Sequence, residues 1–92
     1  MSEYIEIETE MSDDGLQMFF FTNLNLAEAD SEYYQSKAEM EEGSAVAQAL
    51  AVVAGIMELF IDGRDLTVTR EPEIEWHVIV ADVSAALKDF FL

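Results

Sequence analysis

The sequence predicts an α+β fold: an antiparallel β-sheet of about four strands with two helices packed on one face, in the order β-β-α-β-β-α with a short extra strand. Three observations carry this. Two pairs of strand-like segments each meet at an Asp-Gly turn, Asp14-Gly15 and Asp62-Gly63. An apolar stripe with helical spacing follows each pair. No linker-like stretch divides the 92 residues, so they read as one domain, 1–92. An antiparallel sheet with its helices on one side is the layered solution for such an order.

The elements follow in turn. Glu3 to Glu10 alternates, with Ile5, Ile7 and Thr9 on one side and Tyr4, Glu6, Glu8 and Glu10 on the other. Ser12 to Gly15 is a turn, and Leu16 to Thr22 is the second strand, with Leu16, Met18 and Phe20 pointing one way and Gln17, Phe19 and Phe21 the other. Asn23 to Gly43 reads as a loop with one short extended segment: "EYYQS" has strand composition, and "KAEMEEG" equally fits a helical turn. Ser44 is a good N-cap for a helix presenting Val46, Leu50 and Val53, with Gly55 as its left-handed stop. Ile56 to Ile61 and Leu66 to Arg70 form the second hairpin. Pro72 then opens a last helix with Trp76, Ile79, Val80, Val83, Leu87 and Phe90 on one face and Glu71, Glu73 and Glu75 at its start, where the helix dipole favours negative charge.

Composition narrows function by exclusion. A chain with 51% hydrophobic residues, six Phe, three Tyr and one Trp is not disordered despite its charge. With no cysteine there is no disulfide, no thiolate metal site and no cysteine nucleophile. The N-terminus lacks the basic start and apolar run of a secretory signal, and Ala45 to Ile61 is too short and too broken to span a bilayer, so the expected location is cytoplasmic. Twenty acidic residues face four basic ones, Lys37, Arg64, Arg70 and Lys88, for a net charge of −16. That balance excludes nucleic acid and anionic membranes as partners and points to a basic protein partner or a high-salt milieu, beside plain solubility.

A search for chemistry finds little. His77 is the only histidine, off the apolar stripe and without a second ligand. "SDDG" and "DGRD" lack the spacing of a calcium loop, there is no phosphate-binding glycine motif, and the five methionines are scattered. No catalytic, cofactor or metal residue is assigned, and an enzyme is not expected. One surface stands out. With Leu16, Met18, Phe20, Leu59, Ile61, Leu66 and Val68 as the core set, alternation leaves Phe19, Phe21 and Phe60 on the opposite sheet face, beside Tyr4, Glu6, Glu8, Thr67 and Thr69. Aromatic rings exposed among acids mark a partner-binding face. The competing reading is that Asn23–Gly43 folds over them.

The pieces also resemble, in order and spacing, the N-terminal domain of the NifU-like (Nfu) iron–sulphur scaffold proteins, over nearly the whole chain. "IETE" (Ile7–Glu10) and "DDGLQMFF" look like that family's I-x-T-E strand, N-P-N turn and L-K-F strand. "SAVAQAL" (Ser44–Leu50) looks like its S-P-L-A helix start. "GIMELFIDGRDLTVTR" looks like its G-V-x-x-V-F hairpin ending in I-T-V-T-K, and Trp76 matches the tryptophan of its last helix. The departures lie in turns: Ser12-Asp13-Asp14 for Asn-Pro-Asn, Ala45 for the proline after the capping serine, and Asp65 for a loop aromatic. In the family a second domain carrying C-x-x-C binds the cluster. This chain, read as ending just past its final helix, inherits no ligand role.

The resemblance therefore implies a non-catalytic accessory or partner-recognition module, serving iron–sulphur assembly in trans through an assembly factor, a client apoprotein or a scaffold. The residues alone leave open a small ligand-binding protein or enzyme using surface carboxylates, and an adaptor unrelated to iron–sulphur chemistry.

Overall fold

In the computed structural model, which describes residues 5–27 and 30–91, the chain runs β1 (Ile7–Met11), β2 (Gln17–Thr22), β3 (Ser31–Tyr34), α1 (Lys37–Glu41), α2 (Ala45–Leu50), β4 (Ile56–Asp62), β5 (Asp65–Arg70) and α3 (Trp76–Phe91). The five strands form one antiparallel sheet in the order β1-β2-β5-β4-β3. The extended segment expected after Asn23 is β3, which pairs with β4, and "KAEME" adds a short helix beside the two expected ones.

The core lies on one side of the sheet. Met18, Phe20, Leu59, Ile61, Leu66 and Val68 are buried there together with Met40 of α1, Val46, Ala47 and Leu50 of α2, and Trp76, Ile79, Val83 and Leu87 of α3. Leu16, expected in this set, is 45% exposed. It sits in the turn before β2, where its amide donates to the Asp14 carboxylate (3.0 Å) and its carbonyl accepts from the Arg70 amide (3.1 Å). Backbone bonding places it beyond the packed part of the ladder. In β4 the register shifts between Ile56 and Glu58. This irregularity turns Ile56 inward, leaves Met57 exposed, and restores the phase in which Leu59 and Ile61 face the core.

Local chemistry explains the helix ends. The Ser36 hydroxyl accepts from the Glu39 amide and the Ser44 hydroxyl from the Ala47 amide, capping α1 and α2. α2 ends at Leu50, so Gly55 is not its stop. It stands just before β4 with φ +96°. Pro72 likewise does not open α3. Residues 71–74 form a turn closed by the Ile74 amide on the Glu71 carbonyl (3.0 Å), and the helix begins at Trp76, after all three glutamates. Near its end Phe91 packs on the core and Phe90 points outward, one position off the expected stripe.

One polar knot ties the layers together. The Gly15 carbonyl accepts from the Trp76 indole N–H (2.7 Å) and from Arg70 Nε (3.1 Å). Arg70 also donates to the Ile74 carbonyl (2.8 Å), and its guanidinium lies 5.8 Å from the centre of the Trp76 ring. The first hairpin turn is thereby fastened to the start of α3.

Candidate functional site: the open sheet face

Strand pairing determines which side chains share the uncovered face. Across the sheet, Glu10, Phe19, Thr67, Phe60 and Tyr33 stand directly opposite one another in a single row, one residue from each strand. The next row in the same direction is Glu8, Phe21, Asp65, Asp62 and Ser31. On the other flank Gln17, Thr69 and Glu58 align, with Gln17 Nε2 donating to Thr69 Oγ1 (3.2 Å). The result is an aromatic stripe with carboxylates at its β1 end and along both flanks.

Of the expected face residues, Phe21 is 42% and Phe60 36% exposed, and Phe19 is half-buried between its row neighbours. Tyr4 lies outside the described residues. Among its described residues, the segment after β2 does not cross this face. The Thr22 amide bonds the Arg64 carbonyl and the Leu26 and Ala27 amides bond the Gly63 carbonyl, carrying Leu26 into the core. Further on, Ser31–Tyr34 forms β3 at the sheet edge and Lys37–Glu41 forms α1 in the helix layer, where Met40 is buried.

Sequence reasoning missed Tyr33, which is 52% exposed and stacks edge-on against Phe60 at 6.4 Å between ring centres. The signal was the alternation in "SEYY", legible only once that segment is a strand paired with β4. The Tyr33 hydroxyl donates to the Glu58 carboxylate, and this bond, followed by partial desolvation and the Glu58 charge, raises the phenol above its ordinary value. At the β1–β2 turn Asp14 is held below the usual carboxylate range by the Leu16 amide and then the Ser12 hydroxyl.

The electrostatics are one-sided. Among the described residues no ion pair reaches Glu8, Glu10, Asp62 or Asp65. Arg70 is committed to backbone carbonyls, Lys37 and Lys88 lie on α1 and α3, and Arg64 sits in the β4–β5 turn. His77 is exposed, with Nδ1 3.4 Å from Glu75. Among the described residues no polar or charged side chain is buried, and no three His, Asp or Glu side chains converge as a metal site would require. No helix among them is long and apolar enough to cross a membrane. The arrangement offers contact surface and negative charge.

The architecture and this face define an α+β sandwich with one layer of helices and one open, acid-rimmed aromatic sheet surface. Residues 7–92 match the family described as scaffold protein Nfu/NifU N terminal, and the chain belongs to that family. Two solved structures share the fold. The solution structure of a NifU-like protein from Saccharomyces cerevisiae is 18% identical, with a TM-score of 0.76 over 97% of this chain and 82% of that one. The crystal structure of protein SAV1430 from Staphylococcus aureus is 17% identical, with a TM-score of 0.71 over 89% of this chain and 98% of that one. Comparison with curated proteins finds no match.

Proposed function

We propose that this domain is a non-catalytic docking module for iron–sulphur cluster assembly, working in the cytoplasm, that presents a surface to a cluster-handling protein while holding no cluster itself. The observation that carries the reading is the open sheet face: Phe19, Phe21, Phe60 and Tyr33 uncovered and rimmed by carboxylates, in a fold of the Nfu/NifU N-terminal family. The 92 residues contain no cysteine and one histidine, so any cluster sits on ligands outside them. A carboxylate-based catalyst is less well supported, because among the described residues no polar side chain is buried to form a working pocket.

Two measurements test this. Anaerobic reconstitution with iron and sulphide should leave the purified chain colourless and free of bound iron; stoichiometric iron with a cluster absorbance spectrum overturns the reading. Titration with a C-x-x-C scaffold domain or a client apoprotein should shift the resonances of Phe19, Phe21 and Phe60. The double substitution Phe19→Ser with Phe21→Ser should abolish that binding while the domain stays folded.

A further inference from the structure

We propose that the partner segment this domain captures is an extended strand of alternating basic and apolar residues, which joins the sheet along the free edge of β1. This names the partner chemistry for the docking module proposed above and rests on that reading.

The helix layer stops at β2. Thr9 and Met11 stand directly opposite Phe20 and Met18 on the helix side of the sheet. Phe20 and Met18 are buried, yet Thr9 is exposed and Met11 is 51% exposed. Ile7 packs partly on the core, but β1 from Glu8 to Met11 is exposed on both faces, and among the described residues no strand pairs with its outer edge. An edge strand presents every second backbone N–H and C=O outward, unpaired by its own sheet. The other edge, β3, is a four-residue strand with α1 packed against it, and is the poorer acceptor of a new strand.

The side chains of β1 specify what fits beside them. A strand added here places alternate residues directly across from Glu8 and Glu10 on the open face, where no ion pair among the described residues neutralises either carboxylate. Lysine or arginine at those positions supplies the missing charge. The intervening residues come to lie beside Ile7, Thr9 and Met11 on the helix side, where apolar side chains extend the core past β2. A second copy of this chain is disfavoured at the same edge, because pairing β1 with β1 brings glutamate against glutamate on the open face. The charge that repels a like strand selects a basic one.

The test uses the whole chain and a capped peptide of about seven residues alternating valine and lysine, a length within the ordinary strand range. The control peptide has the same composition with its lysines grouped at one end. Amide hydrogen exchange is followed residue by residue by NMR. The alternating peptide should slow exchange at outward-facing β1 amides by about tenfold or more, and the grouped peptide should not. Glu8→Gln with Glu10→Gln, a pair of changes at exposed positions that preserves the fold, should weaken the alternating peptide by about five- to tenfold.

Equal effects from the two peptides, or β1 amides untouched by either, overturn the proposal. So does a β1 edge already protected in the free chain together with a dimeric mass, which would make a second copy the occupant. The two readings fail separately: a cluster on the reconstituted chain removes the docking module but not the β1 protection, and a cluster-free chain with an inert β1 edge removes only this inference.

Discussion

Tyr33 shows how much of the open face is set by single contacts. Its phenol is raised because ionising it places a second negative charge beside Glu58 and breaks the hydrogen bond between them. A folded value raised above the unfolded one means that the contribution to stability is fully present below the ordinary tyrosine value of 10.0 and is lost as pH rises through the folded value. Absorbance titration of tyrosinate should therefore show Tyr33 ionising later than a free tyrosine, and Glu58→Gln should bring it back toward 10. No change on that substitution would break the assignment. Two glycines make a second comparison at this scale. Gly55 has φ +96°, and a Cβ there would fall 2.7 Å from the Ile74 side chain; Gly63 has φ +61° and open space around it. Gly63→Ala should cost about 1 kcal/mol, from backbone strain alone. Gly55→Ala adds overpacking and should cost about 3 kcal/mol or more. Thermal melts separate them, since 1 kcal/mol moves a domain of this size by about 4–8 °C.

Strand β2 carries the same argument at the scale of an element, because its two faces have opposite fates. Phe20 is fully buried between sheet and helices, while Phe21, its chain neighbour, faces solvent beside Glu8 and Asp65. Phe20→Ala should cost about 3–5 kcal/mol, most of the stability of a small domain. Phe21→Ser should cost about 1 kcal/mol, the span of strand propensity. Urea unfolding decides, and similar losses from both would mean the faces are inverted. This alternation is why the hairpins and the core set were legible in the sequence: a period of two, bounded by Asp-Gly turns, leaves little choice of face. α3 was legible for the corresponding reason, a stripe from Trp76 to Leu87 with period 3.6. What escaped was governed by tertiary bonding. β3 needs β4 as its partner and has no turn signal of its own. Leu16 is placed by the Asp14 and Arg70 backbone contacts, and α1 is a five-residue helix held by the Ser36 and Glu39 caps. Tyr33 was missed from the candidate face for the same reason as β3 itself.

The whole molecule is an acid-coated body whose few cations do little to neutralise it. Twenty Asp and Glu meet four Lys and Arg, and the half-buried Arg70 bonds carbonyls and a tryptophan ring instead of carboxylates. The sheet holds some of these charges close together: Asp62 stands directly opposite Asp65, and Glu8 and Glu10 lie two residues apart on one face. Like charges opposed across strands destabilise a sheet, and they are closer in the native state than in the expanded chain. Screening contracts their reach from ~30 Å at 0.01 M to ~3 Å at 1 M ionic strength, so salt should favour the folded form. Between those conditions the melting temperature should rise by about 4–8 °C or more, the equivalent of about 1 kcal/mol. The salt should be sodium or potassium chloride, because sulfate stabilises proteins by exclusion from their surfaces and would imitate the effect. Substituting Asp65→Asn should remove part of the salt dependence while raising the low-salt melting temperature, since it relieves one opposed pair without touching the core. A melting temperature that stays flat or falls with chloride would mean that solvent already keeps the carboxylates apart. The net charge of −16 would then bear on partner capture and not on the stability of the isolated fold.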